Sequence, residues 1–140
     1  TCIAGSLVAY MDDGGGYSIA HLAQTGPSII KVGQWHHVAL SWGPAGLTIY
    51  VDGVEQASTP GCTVYWDTVN GSGGIQPLLI GSSYIAAFAS RPQIGFEGSI
   101  ARVAILSNQL SAGQVAALAA IKPDQTQLKL IENTWVRVYE

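Results

Sequence analysis

The segment from Gln34 to Val54, QWHHVALSWGPAGLTIYVDGV, constrains the fold more than any other part of the chain. Apolar side chains alternate in two runs, which are Val38, Leu40 and Trp42, then Leu47, Ile49 and Val51. Asp52-Gly53 follows the second run, and such a pair signals a type I′ hairpin because that turn needs positive φ at both central residues. The segment therefore predicts strands over 35–42 and 46–58 that are joined by tight turns.

The low charge content limits the partners that the chain can have. Only 11% of the 140 residues are charged, against roughly 25% in an average soluble domain. Either small polar residues cover much of the surface, as in many extracellular β-proteins, or part of the surface is buried against other chains. The net charge is −3 and the six Lys and Arg residues are scattered. Nucleic acid is therefore not an expected partner.

Membrane and secretion signals are absent from the sequence. No apolar run approaches the roughly 20 residues of a membrane span, and no basic-then-apolar signal peptide opens the chain. Because the chain begins with Thr1 instead of Met, we expect a processed product or a segment of a longer protein. Cys2 and Cys62 either form one disulfide or remain thiols, and two cysteines alone do not decide between these alternatives.

Further β-rich segments surround the central one. They are 6–11 and 16–22, on either side of a loop at residues 12–15, then 28–32, 78–80, 98–106 and 126–139. We expect residues 78–80 to be a buried strand, and 126–139 to form one or two extended pieces. Long connections over 58–76 and 82–97 lie between these segments, and connections of that length in a compact domain are usually functional or mobile.

One short helix is predicted after the last of the internal strands. Ser111 is suited to be its N-cap, with Gln114 three residues later as the capping-box partner. Leu110 and Val115 have the spacing of a hydrophobic staple. The helix is expected to end near Ala120.

Four blocks occur in series: QWHHVALSW, LTIYVDGV, LLIGS and FEGSIARVAILSNQLSAGQVAAL. Together they resemble the laminin G-like and pentraxin branch of the concanavalin A-like jelly rolls, over roughly Leu7 to Leu118. The resemblance implies an all-β fold, an antiparallel two-sheet jelly-roll sandwich with one short helix near 111–120. We expect this domain to span 1–121 and to lack one or two N-terminal strands, which leaves a sheet edge open to another chain. Residues 122–140 are then an extended tail, packed on the domain or on a partner.

The departures from the family concern its metal site and its disulfide. Ala39 stands where pentraxin-like members have a disulfide cysteine. Hydroxyl and apolar residues replace the carboxylates of the family calcium site, namely Ser82, Ser83, Tyr84 and Ile85. Ala101 and Arg102 replace the usual Asp-Glu pair. Because calcium needs several oxygen ligands, preferably carboxylates, we expect no family-type calcium site and no cofactor.

No residue pattern predicts catalysis or a transition-metal site. His36 and His37 are adjacent, so on a strand they point to opposite faces and do not chelate one ion together. His21 belongs to a different predicted strand. The carboxylates form no alternating pair of the kind that glycoside hydrolases use, and Asp52 is assigned to its turn. We therefore expect a protein that is not an enzyme, with no catalytic residue and no metal ligand.

Aromatic and polar residues in two loops predict a binding site instead. Sugar recognition needs an aromatic face for C–H groups and polar side chains for hydroxyls. The candidate ligand-binding residues are Asp12, Asp13, Tyr65, Trp66, Asp67 and Asn70. The alternative is that Trp66 closes the rim of the sandwich. Trp35 and Trp42 are expected in the core.

Two functions remain open from the sequence. The first is a lectin-like binding or adhesion module of an extracellular or surface protein that recognises carbohydrate. The second is a structural module in a multi-chain extracellular or viral particle. The expected partners are therefore carbohydrate or other protein chains, in an oligomer or larger assembly. The expected location is extracellular, on the cell surface or in a virion.

Overall fold

The computed structural model describes residues 4–10, 21–63, 80–83, 94–121, 128–131 and 134–137. Nine strands and one helix fall within these ranges. They are β1 (Val8–Tyr10), β2 (Leu22–Gln24), β3 (Val38–Gly43), β4 (Gly46–Val51), β5 (Val54–Thr59), β6 (Ser82–Ser83), β7 (Ile94–Gly95), α1 (Ala112–Ala120), β8 (Leu128–Ile131) and β9 (Thr134–Arg137). All the strand pairs are antiparallel.

The chain divides into two compact units. The first comprises Thr1–Gly73 and Leu106–Lys122, and it contains β1 to β5 and α1. The second comprises Gly74–Ile105 and Pro123–Glu140. In the second unit β6 pairs with β7, and β8 pairs with β9.

The central sheet of the first unit has the strand order β3-β4-β5. Its register places the two predicted apolar runs opposite one another, with Val38 facing Val51, Leu40 facing Ile49 and Trp42 facing Leu47. Because side chains alternate across a strand, these six residues share one face, which we call the inner face. The alternation predicted from the sequence is confirmed.

A tight turn at Asp52-Gly53 joins β4 to β5, as the sequence predicts. Both residues have positive φ, 52° at Asp52 and 81° at Gly53, which is the requirement of a type I′ turn. Gly53 also approaches α1 closely, because an added Cβ would lie 3.0 Å from the Cα of Ala116. Glycine is therefore required at this position for conformation and for space.

The core lies between the inner face and the β1-β2 hairpin. Its buried members are Ala9, Ala23, Leu47, Ile49 and Cys62, with Leu7, Trp42 and Ala57 packed against them. Two sheets that pack face to face in this way confirm the predicted all-β, antiparallel sandwich class. Trp42 contributes to the core as expected. Cys2 lies outside the described residues, so both alternatives for Cys2 and Cys62, a disulfide or two thiols, stay expectations from the sequence.

Helix α1 confirms the predicted capping signal. The Ser111 side chain accepts a hydrogen bond from the Gln114 backbone, and the Gln114 side chain accepts one from the Ser111 backbone, which completes the capping box. The helix ends at Ala120, and Val115 is fully buried.

Some strand boundaries differ from the predicted ones. β3 begins at Val38 instead of residue 35, so Trp35 precedes the sheet and is 54% exposed instead of buried in the core. β2 extends to Gln24, beyond the predicted end at residue 22. The structure has two extended strands in the tail, β8 and β9, as the sequence predicts for 126–139.

Two predicted strand segments differ from the structure because the backbone turns within them. Ser28 has a φ of 58°, so residues 28–32 form a turn and a bend instead of a strand. Arg102 has a φ of 55° and likewise interrupts the segment 98–106, which has no strand. A left-handed residue interrupts an extended strand in both cases. Of the predicted buried strand 78–80 only Ile80 is described, and it is exposed instead of buried.

Candidate functional site

The six predicted ligand-binding residues lie outside the described residues. These are Asp12, Asp13, Tyr65, Trp66, Asp67 and Asn70. The strands that lead to them are described, however. The Thr59 hydroxyl, at the end of β5, donates a hydrogen bond of 2.7 Å to the carbonyl of Leu22, at the start of β2. The chain before β2 and the chain after β5 therefore leave the sandwich at neighbouring points.

A cleft with a mixed polar and apolar lining lies on the other side of the central sheet, beside the start of α1. Its volume is about 360 Å³, at the lower end of the range of roughly 300 to 1,000 Å³ for small-molecule sites. We call it the α1 cleft. It is lined by Ser41, Ala45, Thr48, Tyr50, Gln109, Leu110, Ser111 and Ala112.

The strands supply one wall of the α1 cleft through their outer face. Ser41 and Thr48 are opposite each other in the β3-β4 register, and Tyr50 is two residues further along β4. These residues alternate with Leu47, Ile49 and Val51, so they lie on the face opposite the core. Polar residues at alternate positions of β3 and β4 are the sequence signal that predicts this wall.

Side-chain hydrogen bonds fix the second wall, which is formed by the residues before α1. The Gln109 amide accepts a bond from the Ala45 backbone (3.1 Å) and donates one to the Gly46 carbonyl (3.0 Å). The Ser41 hydroxyl, 5% exposed, donates to the Leu110 carbonyl at 3.0 Å. These three bonds attach the start of the helix to the β3-β4 hairpin.

Two hydroxyl groups of the cleft have no hydrogen-bond partner within the part of the chain that the structure describes. They belong to Thr48 and Tyr50. Tyr50 is only 6% exposed. A nearly buried phenol usually has a hydrogen-bond partner, because an unmade bond costs free energy. Because no described residue bonds the Tyr50 hydroxyl, a ligand in the cleft is a candidate partner for it.

A second polar cluster surrounds the Asp52-Gly53 turn. One carboxylate oxygen of Asp52 lies 2.8 Å from His36 Nδ1, and the other accepts the backbone N–H of His37 at 2.9 Å. The Lys31 backbone N–H donates to His36 Nε2 at 3.2 Å. Since a backbone N–H only donates, Nε2 accepts, and the neutral ring carries its proton on Nδ1 and donates it to Asp52.

This cluster lowers the pKa of Asp52 below its ordinary value. Partial burial acts in the opposite direction, but the hydrogen bonds from His36 and His37, together with the positive charge that either ring carries when it is protonated, outweigh it. Hydrogen bonds to the charged form favour ionisation. Asp52 therefore serves its turn as an ionised acceptor, in agreement with the role that the sequence assigns to it.

The His36–Asp52 pair resembles the orienting pair of a catalytic triad, but its second ring nitrogen is already used. Nε2 accepts from the Lys31 backbone, so it does not activate a hydroxyl or thiol nucleophile. Among the described residues, no group of three His, Cys, Asp or Glu side chains is placed to hold a metal ion. The cluster therefore positions the turn and the chain that precedes β3.

Two of the residues that replace the calcium ligands of the family, Tyr84 and Ile85, lie outside the described residues, so the absence of a family-type calcium site stays an expectation from the sequence. Ser82 and Ser83 form β6, paired with Ile94–Gly95. Arg102, at the position of a family acid, adds a positive charge. Calcium prefers a set of carboxylate and carbonyl oxygens.

No helix in the described ranges is both long and apolar enough to cross a membrane.

Two facing antiparallel sheets with a helix beside one of them define a β-sandwich domain. The chain belongs to the concanavalin A-like lectin/glucanases superfamily, because the laminin G family model with that description matches residues 4–116. No curated protein matches the chain. The family predicted from the sequence blocks is confirmed.

A solved structure shows the same fold. The chain is similar to a crystallised part of an S-layer domain-containing protein from Clostridium thermocellum, with a TM-score of 0.51 and 24% sequence identity. The match covers 69% of this chain and 43% of the other. The chain therefore spans less than half of the protein part to which it is similar.

Proposed function

We propose that the chain is a non-catalytic, lectin-like binding module of an extracellular or cell-surface protein, and that it recognises carbohydrate. The match of residues 4–116 to the superfamily supports a binding module. The composition agrees with this function, because a chain with only 11% charged residues is suited to neutral, hydroxyl-rich ligands. Domains of the laminin G-like type are typically binding modules without catalysis.

The proposed sugar site is formed by Asp12 and Asp13 from the β1–β2 connection and by four residues after β5, which are Tyr65, Trp66, Asp67 and Asn70. The observation that carries this site is the hydrogen bond between Thr59 and Leu22. It brings the end of β5 to the start of β2, so both connections begin at the same end of the sandwich. Aromatic rings then offer a stacking face, and the acids and amide offer hydrogen bonds to sugar hydroxyls.

A glycan array with the purified 140-residue chain tests this function. We expect binding to a limited set of neutral glycans, and a loss of at least about tenfold in affinity for Trp66→Ala, as is typical when an aromatic anchor is removed. Trp35→Ala is the matched control, because Trp35 is exposed and lies outside the proposed site. An array without binding, or equal losses in both variants, would overturn the proposal.

One observation favours the second function, a structural module in a multi-chain assembly. Within the described ranges, β4 is the single strand partner of β3. Val38 and Leu40 of β3 are 49% and 41% exposed although they belong to the inner face. An edge strand with exposed apolar residues is suited to pair with the same strand of a second copy. The similar protein from Clostridium thermocellum is an S-layer domain-containing protein, which agrees with a surface assembly.

Sedimentation velocity tests the second function. We expect a concentration-dependent dimer or larger assembly that Leu40→Lys disrupts, because a buried unpaired charge opposes association. Val32→Lys is the control, since Val32 is fully exposed and outside the strands. A monomer at all concentrations would exclude assembly through β3.

A further inference from the structure

We propose that the α1 cleft is a second binding site, which takes one uncharged, hydroxyl-bearing residue of about the size of a monosaccharide. None of the residues that line this cleft belongs to the sugar site proposed above. It is assembled from the outer face of β3 and β4 and from residues 109–112.

The hydrogen-bonding capacity of the cleft is partly unused. The hydroxyls of Thr48 and Tyr50 make no bond in the described part of the chain, and each can both donate and accept. Ser41 uses its proton on Leu110 and keeps its acceptor lone pairs. A ligand with several neighbouring hydroxyls matches this arrangement, because each of its groups is also both donor and acceptor.

The lining of the α1 cleft has no charged residue, which disfavours ionic ligands. None of the eight residues that line the cleft is charged. The start of α1 lies beside the cleft, but the capping box with Gln114 already satisfies its N-cap. Burying an unpaired charge is costly, so a neutral ligand is favoured over a carboxylate or a phosphate.

The shape and the apolar part of the lining set the size and class of the ligand. Ala45, Leu110 and Ala112 supply apolar surface, and Tyr50 supplies an aromatic ring. Sugars combine an apolar C–H surface with a ring of hydroxyls, and this lining has both complements. The volume of about 360 Å³ leaves room for a single residue of a glycan.

Titration of the ¹⁵N-labelled 140-residue chain with neutral monosaccharides tests the proposal. The probes are glucose, galactose, mannose and N-acetylglucosamine, with glucuronate as the charged comparison. We expect amide shifts at residues 41, 48, 50 and 109–112 with at least one neutral sugar, and a dissociation constant of about 1 mM, as is usual for so small a ligand. Glucuronate is expected to bind more weakly than glucose.

Conservative variants connect the shifts to the two hydroxyls. Tyr50→Phe and Thr48→Val remove one hydroxyl each and are expected to weaken binding about fivefold, the effect of one neutral hydrogen bond. Thr63→Val is the matched control, since Thr63 is exposed and outside the cleft. Unchanged affinity in both cleft variants overturns the proposal even if sugar binds.

Different results would overturn the two proposed sites. Trp66→Ala is expected to abolish array binding while the shifts around the α1 cleft persist. Sugar shifts that vanish in Trp66→Ala, or an absence of shifts at the cleft residues with every neutral sugar, contradict the second site without deciding the first. Stronger binding of glucuronate than of glucose also contradicts it.

Discussion

The two faces of β4 are both covered, but by different chemistry. On the inner face, Leu47 and Ile49 pack against the apolar residues of the β1-β2 hairpin. On the outer face, Thr48 and Tyr50 line a cleft beside α1. The residues alternate along one strand, so a shift of one position would exchange the two environments.

The β1-β2 hairpin and the start of α1 are therefore held on the central sheet by different kinds of interaction. The β1-β2 hairpin is held on the inner face by burial of apolar surface. This interaction is not directional, and it is strongest when the side chains are closely packed. The start of α1 is attached to the outer side by directed hydrogen bonds from Ser41 and Gln109. Directed bonds leave open space between the layers, and that space is the α1 cleft. Stability is therefore expected to depend on the inner face, and binding on the outer face.

The largest expected effect is that of Leu47→Ala on the inner face. Leu47 is fully buried within the core, so its truncation loses apolar burial and leaves a cavity, at a cost of about 3 kcal/mol in the free energy of unfolding. Urea denaturation measures this change. Val54→Ala is the control at an exposed apolar position and should cost less than about 0.5 kcal/mol. Equal effects of the two variants would show that the inner face is not the main core.

A smaller effect on the free energy of unfolding is expected at Gly46, in the turn of the β3-β4 hairpin. Gly46 has a φ of 97°, and an added Cβ would lie 2.5 Å from the Thr59 carbonyl oxygen. Gly46→Ala should therefore destabilise the protein by about 2 kcal/mol, because the backbone has to move. Gly61→Ala is the matched control, since nothing lies within 4 Å of its added Cβ. A stable Gly46→Ala variant would contradict the close approach of β4 to the end of β5.

On the outer face, Ser41→Ala removes one of the bonds that attach the start of α1. The expected cost is about 1 kcal/mol, the net value of a partly buried hydrogen bond. Thermal unfolding followed by circular dichroism measures this difference. Ser58→Ala, at an exposed position of β5, is the control and is expected to be neutral. A loss as large as that of Leu47→Ala would mean that both faces are held by burial.

The sequence predicts the parts of the two faces that are specified by residues close together in the chain. Alternation determines the register of β3 and β4, the Asp-Gly pair predicts the turn, and Ser111 with Gln114 predicts the start of α1. Each signal lies within a few residues of the structure that it specifies. For the same reason the family blocks, which consist of these signals, identify the superfamily.

The parts that were missed depend on distant residues. Trp35 is exposed because β3 begins only at Val38, and the Asp52 carboxylate binds the backbone N–H of His37 directly before that strand. The α1 cleft depends on Gln109 binding to Ala45 and Gly46, more than 60 positions earlier in the chain. Ser28 and Arg102 have a left-handed backbone although neither is a glycine, so the residue type at these two positions gives no signal. Pattern within a short window does not contain such information.

The smallest expected effect is the contribution of the Asp52-Gly53 turn to the pH dependence of the free energy of unfolding. The pKa of Asp52 is lower in the folded state than the ordinary value of about 3.9. Its contribution to the free energy of unfolding is therefore fully present above about pH 4, and it is lost as the pH falls through the folded-state pKa. Because the side chain is 55% exposed, solvent screening limits the contribution to about 0.5 kcal/mol. Asp52→Asn keeps a residue that tolerates positive φ, and it removes the charge together with one of the two acceptor oxygens. Urea denaturation between about pH 2 and about pH 6 should show the wild type gaining stability relative to the variant as pH rises. Parallel curves would mean that the His36–Asp52 contact contributes nothing to the fold, and that the turn depends on its backbone conformation alone.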